Sequence, residues 1–141
     1  MQNFNRDSSE RTRQNFLVPA LAGLYGTAFL ATLWLAYRGQ LPGWLSAIPH
    51  YDKPLHVLLY AIATYLGHRL LKGRRWLLPL FRQHWKLPLF PLAFAIFTIA
   101  EELFQGLSPN RSLDAFDLIC SLVGCWLGYR LAERHISKPY R

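Results

Sequence analysis

Acidic residues are scarce in this chain: eight Asp and Glu stand against sixteen Lys and Arg, a formal net charge of +8 in 141 residues. Charge of either sign is sparse, at 17% of residues against 52% hydrophobic, a composition rich in apolar side chains for a soluble domain of this size. Cysteine is nearly missing, with Cys120 and Cys125 alone. They lie five apart in one apolar run that reads as a helix, so they face different sides, which excludes a disulfide framework and a CxxC redox pair. No HExxH zinc motif, phosphate-binding glycine loop or nucleophile motif occurs, and the pattern names no cofactor. The basic excess comes without an aromatic-and-basic groove or a nucleic-acid motif, so no nucleic-acid partner is expected.

Long uncharged runs are what the chain does have. From Phe16 to Tyr37, 22 residues pass without a charge. A helix needs about 20 residues to cross the hydrocarbon core. Pro19, Gly23 and Gly26 fall inside this run, where a membrane helix tolerates them. The run is too long for the apolar centre of a signal peptide and is expected to stay as a first span. Further apolar runs cover residues 55–71, 87–104 and 113–131. Their uncharged centres are shorter, so if they span, polar groups lie inside their membrane ends. The expected fold is all-α: a single domain, 1–141, forming an integral membrane four-helix bundle.

Four spans divide the basic residues unevenly. One side receives Arg6, Arg11 and Arg13, the central loop from Arg69 to Lys86, and Arg130, Arg134, Lys138 and Arg141, which is 13 of the 16. The other side receives Arg38, Lys53 and Arg111. Short cytoplasmic loops carry such an excess, so both termini are expected to be cytoplasmic. The segment Arg74–Lys86 reads as amphipathic and is expected to lie on the cytoplasmic surface beside anionic lipid.

The acids follow the opposite rule. Asp52, Glu101, Glu102, Asp114 and Asp117 fall at the outer ends of spans two, three and four, while Asp7, Glu10 and Glu133 are left in the cytoplasmic tails. Asp52 and His56 are four apart and share a helix face, as do Glu101 and Gln105. Asp114, Asp117, Ser121, Gly124 and Gly128 follow steps of three and four along one face, polar at the outer end and small below. Gly124 and Gly128 make the small-xxx-small pattern of closely packed membrane helices, which suits a membrane partner or a second copy of the chain. Ionisable groups at such depth face a helix interface or a watery cavity and are functional candidates by default.

In order, "DKPLH", "EELFQ", "PNRSLDAFD" and "GCWLG" resemble the pattern of the VanZ-like family of small bacterial membrane proteins, from Asp52 to Gly128. The resemblance puts the family's polar positions on Asp52, Lys53, His56, Glu101, Gln105, Arg111, Asp114 and Asp117. Ser121 stands where the family often has Asn four residues after the last Asp. What the resemblance implies is an envelope role, its namesake being linked to teicoplanin resistance, and no defined reaction.

Structural roles compete with functional ones. Asp52 before Lys53-Pro54 suits a helix N-cap. Ser112 is a candidate cap for the fourth span, with Asp114 favoured by the helix dipole. Arg111 could only pair with Asp114 or Glu101, His56 could be a bonded structural histidine, and one of Glu101 and Glu102 is expected to face water. His50, His68, His84 and His135 show no matching partners. Three function classes stay open. An enzyme would use Asp52, His56, Glu101, Asp114 and Asp117 as acid, base or ligands of a divalent ion, with Lys53, Gln105, Arg111 and Ser121 holding a lipid-linked phosphate. A non-enzymatic assembly factor would recognise a headgroup or a partner helix. A small carrier or proton relay would use the acid and His chain, although no internal repeat favours it.

Overall fold

The computed structural model describes residues 2–43, 52–80, 83–109 and 113–136, with side chains from Phe16 onwards except at 80 and 83. Among them, α1 runs Gln2–Tyr37, α2 Asp52–Leu70, α3 Leu89–Gln105 and α4 Ala115–Ile136, with β1 Arg75–Leu80 and β2 Gln83–Pro88 between α2 and α3. Each predicted span falls on one helix. Arg111 and Ser112, His50, and the tail residues Lys138 and Arg141 lie outside the described residues.

The expectation of an all-α chain needs one correction. Arg74–Lys86 contains an antiparallel ribbon, with Trp76 opposite Leu87 and Leu78 opposite Trp85. Opposed residues share a face, so Trp76, Leu78, Trp85 and Leu87 form one apolar side, and Leu77, Lys86, Pro79 and His84 share the other. The segment is amphipathic, but with a period of two. Pro79 sits in a strand with no further neighbour, where its missing N–H is harmless.

Two helices among the described residues are long and apolar enough to cross a membrane, Phe16–Tyr37 and Ala115–Ile136. The other two differ for separate reasons. The 17 residues of α3 reach only about 26 Å, short of the ~30 Å hydrocarbon core. In α2, Asp52, Lys53, His56, His68 and Arg69 break the apolar run.

The helices alternate in direction. Tyr25 of α1 donates a hydrogen bond to the Leu59 carbonyl at 2.7 Å, and Tyr37 donates to the Glu101 carbonyl at 3.2 Å. Phe90 near the start of α3 meets Gly67 near the end of α2. The closest approach is between α2 and α4. A Cβ on Gly124 would come 2.5 Å from the Val57 oxygen, and one on Gly128 would overlap the Ala61 oxygen. The small stripe of α4 is therefore taken up within the chain by α2.

The interior is polar. The largest fully buried side chains are His68, Gln105, Thr64, Thr98 and Ser121, while Phe16, Leu24, Trp34, Phe104 and Phe116 are each more than 60% exposed. A water-soluble domain has the reverse distribution. The apolar core is small: Phe29 and Tyr60 meet edge to face at 5.3 Å, beside Cys125 and Phe94.

Candidate functional site

Starts and ends of helices build the site. The first turns of α2 and α4 and the last of α3 meet at one end of the molecule, so residues far apart in sequence become neighbours. Asp114 is the residue before α4, and its Oδ1 accepts from the Phe116 amide at 2.8 Å, an N-cap bond. Its own amide donates to Glu102 Oε1 at 2.9 Å, tying the entry of α4 to α3.

Lys53 is the hub of the outer layer. Its ammonium lies 3.2 Å from Asp52 and 3.6 Å from both Asp114 and Asp117. Asp52 holds the Lys53 ammonium above the usual lysine range by its hydrogen bond, with Asp117 and Asp114 adding to the field against some desolvation. Burial pushes the Asp52 carboxyl up, but bonds from the Lys53 side chain and amide outweigh it and leave it below the usual carboxylate range.

His56 sits one turn deeper. Its Nδ1 is 2.9 Å from Ser121 Oγ, and its Nε2 is 3.7 Å from Asp117 Oδ2. The serine hydroxyl can donate to a bare Nδ1 or accept from a protonated one, and at 3.7 Å Asp117 acts on the ring through its charge and not through a hydrogen bond. Asp117 is buried, and its Oδ1 has ion-pair range to Lys53 with no hydrogen bond. Ser121 is 1% exposed, which suits orienting the imidazole and not attacking a substrate.

The innermost layer is closed on itself. Gln105 Nε2 donates to both Glu101 carboxylate oxygens at 2.8 Å, and Tyr60 donates to Oε2 at 3.2 Å. Glu101, Glu102 and Gln105 are all buried, so neither glutamate is the water-facing residue the sequence suggested. Two adjacent glutamates can both point inward because α2 and α4 flank α3 on different sides.

The structure thus brings together Asp52, Lys53, His56, Glu101, Gln105, Asp114, Asp117 and Ser121. Among the described residues, no three of His, Cys, Asp and Glu converge in a metal-holding arrangement, since Lys53 stands between the carboxylates. Tyr60 is absent from the sequence reading, and Glu102 figures there only as an outer-end acid with no site role. A signal for Tyr60 existed: Asp52, His56, Tyr60, Thr64 and His68 recur every four residues on one face of α2.

That stripe ends in a second cluster. His68, expected to lack a partner, is fully buried with Nε2 2.8 Å from Glu133 Oε1. Glu133 also pairs with Arg75 of β1. Glu133, which the sequence leaves in a tail, lies in α4, which continues to Ile136, and it is partly buried there.

No family model, curated protein or solved structure matches the chain.

Proposed function

We propose that the chain is a bacterial cell-envelope protein, a four-helix bundle crossing the cytoplasmic membrane with both termini inside. Its acidic-end site would bind a polar headgroup at the outer leaflet. Three features support the reading: the polar interior under an apolar surface, the 13-to-3 division of basic residues, and the ordered motifs that resemble VanZ-like proteins. One observation carries it. A single network runs from Lys53, about a third exposed, through Asp52, Asp114 and Asp117 to His56 and buried Ser121. Capping alone explains Asp114 but not a lysine shared by three carboxylates with a histidine behind them.

The ligand class that fits this proposal is a lipid-linked phosphate. Its phosphate would take Lys53 in competition with Asp52 and Asp114, next to the amides at the start of α2. His56, backed by Asp117, is the group suited to take up or release a proton should the bound headgroup react. The inner layer favours a second reading, a non-enzymatic assembly subunit. Tyr60 and Gln105 both donate to Glu101, and Glu102 accepts from the Asp114 amide, so α2, α3 and the entry of α4 are tied together without a ligand.

Asp52→Asn, Asp114→Asn, His56→Gln and Arg111→Lys separate these readings. Asparagine caps about as well as aspartate, glutamine cannot carry charge, and lysine lacks the bidentate fork. All four variants are expected to accumulate in the membrane near wild type and to fail in glycopeptide tolerance or lipid-precursor composition. Full function in both asparagine variants would leave capping as their whole role. Loss of the protein itself would favour the assembly reading.

A further inference from the structure

The opposite end of the molecule carries a cavity of about 370 Å³ between the start of the α1 apolar run and the last turns of α2 and α4. Arg69, Lys72 and His135 form its polar wall, and Val18, Leu70 and Ile136 its apolar wall. Among the described residues no carboxylate lines it. Glu133, two residues before His135, is turned to His68 and Arg75.

Two of the three basic groups, Arg69 and His135, are held in place by their neighbours. Arg69 donates to the Tyr65 hydroxyl at 2.9 Å and lies 5.5 Å over its ring, which fixes the guanidinium and leaves other N–H groups for an anion. The ring of His135 stands edge-on to the same tyrosine at 5.7 Å. Its Nδ1 donates to the Leu131 carbonyl at 2.9 Å, so Nε2 is the second donor whenever the ring is charged.

Lys72 is the least expected of the three. It has φ 50° and is followed by Gly73 at φ 70°, a left-handed turn that ends α2. Lysine is strained in this region, where glycine is at ease. Basic residues in last helical turns complement the helix dipole and set membrane orientation, which explains charge at this end. It explains neither the want of an acid among the described lining residues nor a lysine kept in a glycine conformation.

We propose that this cavity binds the phosphate of an anionic phospholipid from the cytoplasmic leaflet. Arg69, Lys72 and His135 hold the phosphate, and Val18, Leu70 and Ile136 contact the glycerol and upper acyl region. Basic pockets between membrane helices on the cytoplasmic side take such headgroups, with each Lys or Arg contributing about five-fold in affinity. The proposal rests on the membrane placement of Phe16–Tyr37 and on the orientation proposed above, and is independent of what the acidic-end site binds.

The test uses the full chain in nanodiscs of phosphatidylcholine, with or without phosphatidylglycerol, read by melting temperature and by anionic lipid retained on extraction. Phosphatidylglycerol is expected to raise the melting temperature of the wild type. Lys72→Gly and Arg69→Gln should each weaken retention about five-fold. Lys72→Gly keeps the test decisive if Arg69→Gln folds poorly, because glycine suits the backbone there. Arg74→Gln and Arg134→Gln remove the same charge at exposed positions outside the cavity and should have much smaller effects. Equal losses in these controls would reduce the effect to diffuse surface charge and overturn the site. Equal stabilisation of detergent-solubilised protein by inorganic phosphate alone would assign the cavity to free phosphate and overturn the lipid. Absence of any phosphatidylglycerol effect would also overturn it.

Discussion

Lys53 shows how one side chain can tie three helix ends together: it bridges α2 to the first turn of α4, whose cap residue Asp114 is bonded in turn to α3. Its linkage to pH follows from the directions of shift. The raised Lys53 contributes stability below its ordinary value of 10.5 and loses it as pH rises through the folded value. The lowered Asp52 contributes above 3.8 and loses it as pH falls. The melting difference between wild type and Lys53→Met is therefore expected to be flat between 3.8 and 10.5 and to shrink outside that window. A difference that changes steadily across neutral pH would assign the stabilisation to another group. Deeper in, Tyr60→Phe removes one donor to Glu101 and should cost about 1 kcal/mol. Gln105→Leu strips Glu101 of its other side-chain donor among the described residues and should cost more, about 2–3 kcal/mol, in denaturation of the purified protein.

Between elements, glycine decides the spacing of α2 against α4. Gly128→Ala would drive a methyl into the Ala61 carbonyl, which is backbone and cannot turn aside. The expected cost is about 1–3 kcal/mol, measured as a lower melting temperature, with Gly128→Leu failing to accumulate. Gly67 offers a contrast, because the obstacle there is the Phe90 ring. Gly67→Ala should destabilise alone and be partly rescued by Phe90→Leu, whereas no side-chain change should rescue Gly128→Ala. Additive losses in the Gly67–Phe90 pair would count against their contact. The ribbon β1–β2 was hidden for a simple reason: Trp76, Leu78, Trp85 and Leu87 alternate over too few residues to separate a strand from an amphipathic helix.

At the scale of the whole molecule, most acids and most bases among the described residues lie at opposite ends, with Lys53 and Glu133 each placed among the opposite charge. Asp52, Asp114 and Asp117 surround Lys53 at one end, and Arg69, Lys72, Arg75 and His135 gather at the other. With Cys120 and Cys125 replaced, a cysteine at Gly73 should be shielded from an impermeant thiol reagent in intact cells, and one at Ser108 should react. Reversal of that pattern would put the acidic site in the cytoplasm and the basic cavity outside.

Spacing by itself determined the helices at all four apolar runs, the shared faces of Asp52 with His56 and of Glu101 with Gln105, and the close-packing stripe of Gly124 and Gly128. These are properties of a 3.6-residue period, which a sequence displays directly. Contacts across elements were decided by the tertiary structure alone. Step counting shows that Glu102 follows Glu101, but only the placement of α4 shows that the Asp114 amide meets it. Nor does spacing show that His68 and Glu133, 65 residues apart, are bonded at 2.8 Å. The partner of a buried polar group is whichever donor or acceptor the packing brings within reach, and in this chain that was set by two glycines that let α2 and α4 touch.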